Sequence, residues 1–341
     1  MIVGGIAKIA LASLCMSFLV LTGCSTAPPE QTVTSGVTSI PLDVSKAKGS
    51  KRAVIQAEIL GTSLTFLFDT GSVGLSIFST SAPEELASAT GTSFQDSFAD
   101  GVQVSGVIVP ASITVAGKTT GAPIDIGIIQ SVSCVEETPD CDAATGMESF
   151  AKTIGADGIF GAGFWSNGSL FSPLLQLDGP TPAAVSVHWD GREGAVQLYS
   201  SPQQMPGNVA QMPSASPASL PNGVPAWDNQ NVQICWQIQD AQSTCVPTVF
   251  DTGASAMSFP EGFPGTPDRE VQELVSGTTI TGTIDSGGQA FVSLITGEEL
   301  GKNLVTVFPN TQMVNTGIGL FAEYEVLFSV QSGEISLTAH S

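Results

Sequence analysis

Short apolar runs, most of them ended by glycine or another turn-forming residue, follow one another along this chain from residue 52 onward. Runs of four to eight apolar and β-branched residues between turn signals are typical of strands that pair as hairpins. The predicted strands include 53–60, 64–68, 107–109, 113–117, 232–238, 245–250, 325–330 and 334–337. The pattern therefore predicts an all-β protein.

The chain has 341 residues, which is enough for two domains that each bury a core. Residues 201–229 contain five prolines between Pro202 and Pro221, and proline cannot donate to a sheet ladder. We interpret this stretch as a proline-rich linker. It divides the body of the chain into an N-terminal lobe, 51–200, and a C-terminal lobe, 230–341.

The net charge is −21, from 31 acidic and 10 basic residues, with only two histidines. Nucleic acids and anionic membrane surfaces bind basic patches, so this balance argues against both as partners. His188 and His340 lack the neighbouring nucleophile of a Ser/His triad. No cluster of His and Cys residues has metal-ligand spacing, and no glycine-rich segment has the strand-to-helix context of a phosphate loop. We expect no metal and no cofactor.

The segment 1–23 has one basic residue, Lys8, before an apolar run from Ile9 to Leu21. The run is too short to span a bilayer comfortably and ends in small residues, as in a secretory signal. The sequence Leu21-Thr22-Gly23-Cys24 resembles a bacterial lipobox, in which Cys24 becomes the lipidated first residue. The alternative is an ordinary signal peptide with an incidental cysteine. Residues 24–50 are polar and predict a flexible tether.

These features predict an exported lipoprotein attached to the bacterial cell envelope, at the outer membrane in a Gram-negative organism.

The four remaining cysteines form two close pairs, Cys134 with Cys141 and Cys235 with Cys245, and an exported protein folds where disulfides can form. Neither pair has Cys-x-x-Cys spacing, and no histidine stands nearby to complete a zinc site. We therefore predict two local disulfides.

Two nearly identical segments stand out: Leu67-Phe68-Asp69-Thr70-Gly71-Ser72 and Val249-Phe250-Asp251-Thr252-Gly253-Ala254. Each places Asp-Thr-Gly directly after an apolar β-forming run, which predicts a strand that ends in a tight turn with an accessible carboxylate. By chance, Asp-Thr-Gly occurs at roughly 1 position in 5,000. Two copies on matching turns predict a paired acid/base site.

On these two segments the chain resembles the pepsin-like aspartic proteases, whose two lobes each contribute one Asp-Thr-Gly loop to a shared cleft. The separation of Asp69 from Asp251 along the chain is about the length of one lobe. The resemblance implies a two-lobed all-β fold with an active-site cleft between the lobes, and Asp69 and Asp251 as the catalytic pair. The residues that it assigns to support of the active loops are Thr70, Gly71, Ser72, Thr252 and Gly253.

The resemblance also implies finer roles. Thr70 and Thr252 would hold the two turns together by hydrogen bonds. Ser72 can donate to the outer oxygen of its carboxylate, whereas Ala254 cannot, so we expect a pH optimum less acidic than that of pepsin. Later glycine-bearing segments, 156–163 and 315–317, resemble those that pack against the active loops.

Residues 97–106 resemble the hairpin that covers the cleft in this family. Phe98 stands where the family usually has a tyrosine, and Ser76 where it usually has a tryptophan. Those two side chains normally hydrogen-bond each other, so their joint replacement is self-consistent. Phe98 can pack over the cleft but cannot donate a hydrogen bond.

The sequence as a whole predicts a monomeric, lipid-anchored aspartic endopeptidase that acts on proteins or peptides. In such an enzyme two carboxyl groups share one proton; the ionised one activates water and the protonated one polarises the scissile carbonyl. The alternative is a catalytically inactive relative that binds partners at the cell surface, which the altered hairpin favours. A third reading, a carboxylate enzyme that cleaves sugars, needs two acids on either side of a sugar site, which the Thr-Gly turns disfavour.

Overall fold

The computed structural model describes residues 36–47, 50–266, 274–285, 288–297, 305–308 and 311–340. The predicted signal segment, the lipidation site Cys24 and the start of the predicted tether lie outside these residues, so those predictions stay untested. Residues 35–341 belong to one compact unit. No helix within the described ranges is long and apolar enough to cross a membrane.

Strands dominate the first half of this unit, as the sequence predicts. Its elements are β1 (Val37–Ala47), β2 (Ser50–Ile59), β3 (Thr62–Asp69), β4 (Val73–Phe78), α1 (Glu84–Ala87), β5 (Thr92–Ser97), β6 (Val102–Ala111), β7 (Ile113–Val115), β8 (Lys118–Thr119), β9 (Ile124–Cys134), α2 (Met147–Ile154), β10 (Gly158–Ala162), β11 (Ser166–Asn167), β12 (Leu170–Phe171), a 3₁₀ turn (Pro173–Leu175), β13 (Ala184–Trp189) and β14 (Gly194–Tyr199).

The second half continues in the same way. Its elements are β15 (Val209–Gln211), β16 (Ser214–Ser219), β17 (Pro225–Trp227), β18 (Val232–Ile238), β19 (Thr244–Val249), β20 (Met257–Pro260), β21 (Thr279–Thr283), β22 (Ala290–Ile295), β23 (Val305–Phe308), β24 (Val314–Asn315), α3 (Gly317–Glu323), β25 (Tyr324–Ser329) and β26 (Glu334–Ala339). The all-β prediction is confirmed at this level, with three short helices as the exceptions among the described residues.

Two mixed sheets hold most of these strands. The larger has the order β15-β26-β25-β13-β14-β1-β2-β3-β10-β4-β9-β6-β5, with β7 and β8 attached beside β2. The smaller has the order β22-β21-β18-β19-β24-β20-β23. The strand β25, near the end of the chain, therefore pairs with β13 of the first half, and β26 lies between β25 and β15. The buried core is correspondingly continuous across both halves, and a smaller apolar cluster around Phe78 and Phe150 lies beside it.

The same strand arrangement occurs twice. In the first copy, β3 lies parallel to β10, β10 lies antiparallel to β4, and β4 lies parallel to β9. In the second copy, β19, β24, β20 and β23 make the same three pairings in the same order. Each copy has an Asp-Thr-Gly turn directly after its first strand, β3 or β19. The two similar sequence segments therefore lie in two similar arrangements of the backbone.

The prediction that residues 24–50 form a flexible tether is wrong over 37–47 and at Ser50. Residues 37–47 form β1, which pairs with β14 and β2 near the middle of the larger sheet. Ile40, Leu42 and Ala47 are buried. The alternation of apolar and polar residues in this segment is weak, because polar residues interrupt it. The apolar residues become buried only through pairing with strands that come later in the chain.

The segment 201–229, which its prolines led us to interpret as a linker, has strands of its own. It contains β15, β16 and β17. β15 pairs with β26 at the end of the larger sheet, where a strand has a neighbour on one side only. Prolines are tolerated at such edges, and Pro217 lies in a separate two-stranded sheet formed by β16 and β17.

Both predicted disulfides are present, Cys134–Cys141 and Cys235–Cys245. The second joins directly opposed residues of the β18–β19 hairpin, which leads into Asp251. Two disulfides indicate an oxidising compartment outside the cytosol.

Candidate active site

Each Asp-Thr-Gly turn is anchored by a buried strand. Asp69 is the last residue of β3, and Asp251 follows β19 after a single residue, Phe250. Phe68 and Phe250, the residues directly before the two aspartates, are completely buried. These aromatic side chains fix the strand ends in the core, so the carboxylates emerge at defined positions.

The two turns are joined by a reciprocal set of hydrogen bonds between Thr70 and Thr252. The backbone N–H of Thr70 donates to Thr252 Oγ1 (3.1 Å), and that of Thr252 donates to Thr70 Oγ1 (3.0 Å). Each hydroxyl also donates across to the opposite strand end: Thr70 Oγ1 to Phe250 O (2.6 Å) and Thr252 Oγ1 to Phe68 O (2.7 Å). The threonines are buried, so water cannot replace these bonds. They hold the two turns in one relative position.

The glycines of the two turns leave room for the opposite carboxyl group. A Cβ atom on Gly71 would lie 2.6 Å from Asp251 Cγ, and a Cβ atom on Gly253 would lie 2.5 Å from Asp69 Cγ. Both distances are far below van der Waals contact. The turns therefore bring Asp69 and Asp251, which come from opposite halves of the chain, side by side.

Asp69 is almost completely buried, with 6% of its surface exposed. Its Oδ1 accepts a hydrogen bond from Gly71 N (2.8 Å), and its Oδ2 accepts one from the hydroxyl of Ser72 (2.6 Å). Ser72 thus makes the contact that the sequence predicts for it.

Asp251 has a different set of donors. Its Oδ1 accepts from Gly253 N (2.6 Å) and Ala254 N (3.3 Å), and its Oδ2 accepts from the side-chain amide of Asn315 (2.6 Å). The expectation that Ala254 leaves Asp251 without a side-chain donor is therefore wrong. Asn315 provides the donor from β24, and so the argument for a less acidic pH optimum loses its premise.

The ionisation of Asp69 is perturbed by its surroundings. Burial raises the pKa of Asp69 well above its usual range, and the neighbouring charge of Asp251 and a hydrogen bond between the two side chains raise it further. The hydrogen bonds from Ser72 and Gly71 oppose this shift. The proton of Asp69 is therefore held in place by burial and by the neighbouring carboxyl group.

From the raised pKa of Asp69 we predict how the stability of the folded chain depends on pH. Asp69 binds its proton more tightly in the folded chain than in the unfolded chain, where its pKa is near 3.8. The resulting stabilisation is complete below pH 3.8 and is lost as the pH rises through the folded-state pKa. Asparagine cannot ionise, so the melting temperature of Asp69→Asn minus that of the wild type should increase from pH 4 to pH 7. Calorimetry at several pH values measures this difference, and a difference independent of pH would contradict the prediction.

A cavity of about 420 Å³ opens over the two aspartates. Its acidic lining consists of Asp69, Asp96, Asp100, Asp142 and Asp251. Among the described lining residues Arg52 is the single cation. Burial raises the pKa values of Asp96 and Asp100. Within the described chain, no group of three or more His, Cys, Asp or Glu side chains is placed to hold a metal ion.

The hairpin of β5 and β6 borders this cavity. Phe98 lies at its turn, is half-buried, and lines the cavity together with Asp96 and Asp100. The sequence did not single out Phe94, whose ring lies beside Ser76: both approach the position of an added Cβ on Gly127 to 2.8 Å. An aromatic ring thus lies next to Ser76, although it comes from β5 instead of the hairpin turn.

Sequence reasoning also missed three polar side chains that contact the active turns. Asn229 Nδ2 donates to Thr70 O (2.7 Å), Gln230 Nε2 donates to Gly71 O (2.8 Å), and Arg52 Nη1 donates to Gly253 O (2.7 Å). Asn229 is completely buried. Two of the three lie at the end of the predicted proline-rich linker or directly after it, and the only available signal was their position just before the strand β18.

A comparison with protein families matches residues 62–168 to one described as a protein of unknown function (DUF3443). This segment begins with β3, contains Asp69 and the β5–β6 hairpin, and ends before Asp251. A comparison with curated protein sequences gives no significant match.

Proposed function

We propose that this protein is an aspartic endopeptidase of the pepsin type. The observation that carries the proposal is the pairing of Asp69 and Asp251 through reciprocal Thr70–Thr252 bonds, with each turn's glycine facing the opposite carboxyl group. A binding protein has no need for two mutually destabilising carboxylates at the floor of a cavity. Hydrolysis with a shared proton does need them.

The proposed reaction uses the pair as both acid and base. The ionised carboxylate removes a proton from water, whose oxygen attacks the scissile carbonyl carbon, while the protonated carboxyl group donates to the carbonyl oxygen. The tetrahedral intermediate then collapses as the C–N bond breaks and the amide nitrogen receives a proton. The raised pKa of Asp69 supports a pair that still holds one proton in mildly acidic solution.

The surroundings of the pair support a peptide substrate. The cavity is about 420 Å³ in volume and combines apolar walls, such as Leu67, Phe150 and Ile159, with polar groups around the aspartates. This combination suits a peptide segment whose side chains are apolar and whose backbone is polar. The hairpin that bears Phe98 lies beside the cavity and would cover a bound segment. Unfolded proteins are the proposed substrates, since an extended segment must enter.

We further propose that the enzyme is exported and attached to the cell envelope by a lipidated Cys24. The two disulfides support an extracytosolic location. Incorporation of radiolabelled palmitate by the wild type, and not by a Cys24→Ala variant, would test the attachment.

A second candidate function is a surface-exposed binding protein that has this fold but no activity. The hairpin favours it, because Phe98 cannot donate a hydrogen bond over the cavity. The two candidates differ in whether peptide bonds are cleaved.

The test is peptide release from an unfolded protein between pH 3 and 7, using a soluble form that begins at Glu30 and keeps the compact unit of residues 35–341. An Asp69→Asn variant purified in the same way serves as the blank for contaminating proteases. A peptide in which a secondary alcohol replaces the scissile carbonyl should inhibit strongly, since it resembles the tetrahedral intermediate.

Two results together would establish the endopeptidase. The wild type must release peptides that the blank does not release, and the alcohol analogue must block this release. If folded wild-type protein releases no peptide at any pH, the endopeptidase proposal fails. Binding of the alcohol analogue without cleavage would then favour the inactive binding protein.

A further inference from the structure

Two side chains make equivalent contacts with the opposite active turn, one from each half of the molecule. Arg52, on β2, donates from Nη1 to the carbonyl of Gly253 in the second turn (2.7 Å). Gln230, just before β18, donates from Nε2 to the carbonyl of Gly71 in the first turn (2.8 Å). β2 pairs with β3 and β18 pairs with β19, so each donor lies at or just before the start of the strand that pairs with the strand leading into its own turn.

These two contacts are alike in geometry and unlike in charge. Both residues line the cavity, but Gln230 is neutral, whereas Arg52 carries a guanidinium. Burial lowers the pKa of Arg52 while nearby carboxylates raise it, the largest such contribution coming from Asp251. A guanidinium nevertheless keeps its charge at every pH at which the chain is folded. The second turn therefore has a fixed positive charge beside it, and the first turn has none at the equivalent position.

Burial and hydrogen bonding also differ between the two aspartates, and both differences favour a negative charge on Asp251 over one on Asp69. Asp69 is 6% exposed, while Asp251 is only partly buried and is closer to solvent. Asp251 accepts three hydrogen bonds from N–H groups, two from backbone and one from Asn315. Asp69 accepts one N–H bond, and its other donor is the hydroxyl of Ser72, which can also rotate to accept.

We infer that Arg52 is a positioning residue that makes Asp251 the ionised member of the pair and leaves the shared proton on Asp69. The kinetic consequence rests on the proposed function, but the charge assignment does not. Asp251 would then take the proton from water, and Asp69 would give its proton to the carbonyl oxygen. When the C–N bond breaks, Asp251 passes its proton to the nitrogen and Asp69 recovers one from the intermediate, so the starting state is restored.

Other charges act on Arg52 as well. In order of their effect, the carboxylates that face it are Asp251, Asp142, Asp100 and Asp69. Asp100 belongs to the β5–β6 hairpin turn and Asp142 follows the Cys134–Cys141 disulfide. A test must therefore separate the coupling of Arg52 to Asp251 from its coupling to Asp142, Asp100 and Asp69.

The kinetic test compares pH–rate profiles of the full chain for the wild type, Arg52→Gln and Arg52→Lys. Removing the positive charge makes ionisation of the pair harder, so both limbs of the profile should move to higher pH, by about one unit, in Arg52→Gln. Arg52→Lys keeps the charge, so its limbs should stay within a few tenths of a unit. Gln230→Ala is the matched control, because it removes the equivalent hydrogen bond without changing charge, and its profile should keep its position on the pH axis.

A lower rate in Arg52→Gln with unmoved limbs would overturn the inference, since a merely structural contact would act in that way. A second measurement needs no activity. Thermal unfolding at pH 5 of Arg52→Gln, Asp251→Asn, Asp69→Asn and the two double variants gives the coupling of Arg52 to each aspartate. We expect the melting temperatures to be non-additive by about 3 °C or more for the pair Arg52–Asp251, and by less for Arg52–Asp69.

Equal or reversed couplings would overturn the inference even if the wild type cleaves peptides. If the wild type is inactive but the couplings follow the expected order, the proposed function fails and the charge assignment holds. If Arg52→Gln does not fold, the comparison of Asp69→Asn with Asp251→Asn still tests which aspartate carries the charge. Asparagine mimics a protonated aspartate, so Asp251→Asn should be the less stable of the two at pH 5, and the opposite order would overturn the assignment.

Discussion

Replacing either Asp69 or Asp251 with asparagine is expected to lower the rate of peptide hydrolysis by about 10³-fold or more. Asparagine keeps the shape of the side chain and most of its hydrogen bonds, including those from Gly71 and Gly253. It cannot give up or accept the catalytic proton. General acid–base catalysis alone contributes roughly 10²- to 10⁴-fold, and each aspartate serves in both steps of the reaction.

The two substitutions should not be additive, because the pair acts as a unit. A double variant is therefore expected to be little slower than either single variant. Asp125→Asn is the matched control: it makes the same chemical change on β9, outside the cavity, and should keep the wild-type rate. The measurement is kcat/KM on one peptide substrate. A residual activity above about one tenth in either active-site variant would show that the aspartates are not the catalytic pair.

Replacing Gly253 with alanine is expected to lower kcat/KM by about 10²-fold or more without removing either carboxylate. The added Cβ would lie 2.5 Å from Asp69 Cγ and 2.6 Å from its Oδ1. Those atoms must move apart, and the reciprocal threonine bonds leave the turn little freedom to do so. A displacement of about 1 Å in a catalytic group can cost about 10²-fold in rate. Overpacking should also lower the free energy of unfolding by about 1–3 kcal/mol.

Gly71→Ala tests the same contact from the other turn, where the added Cβ would lie 2.6 Å from Asp251 Cγ. Gly121→Ala is the control, since an added Cβ there comes no closer than 3.7 Å to another side chain and the backbone is not strained. Peptide hydrolysis and chemical denaturation, measured on all three variants, separate loss of geometry from loss of fold. Wild-type activity in Gly253→Ala would mean that the two carboxyl groups do not have to be this close.

Local sequence was sufficient for the parts of the fold in which neighbours in the chain are neighbours in space. The hairpin of β18 and β19 is predicted almost to the residue, because its apolar runs, its turn and its two cysteines are all local signals. The same holds for the β25–β26 hairpin, whose two predicted strands differ from the observed ones by at most two residues at either end.

Local sequence did not predict the strands whose pairing partner is distant along the chain. β1 resembles a tether because its apolar residues are sparse, and it becomes a strand only by pairing with β14, which lies at the far end of the predicted N-terminal lobe. The strand β15 in the proline-rich stretch likewise depends on β26. A sequence pattern reports the intrinsic preference of a segment, and neither segment has a strong one.

The candidate site divides in the same way. The sequence by itself determined which residues are the carboxylates, that each follows a buried strand, and that Thr70, Ser72 and Thr252 have hydroxyl groups suited to fix them. Those properties reside in two short segments. Only the tertiary structure decided that Asn315 donates to Asp251 and that Arg52 and Gln230 contact opposite turns. Electrostatic differences between two identical motifs come from side chains far away in the chain, and chain folding alone determines which of them lies beside which carboxylate.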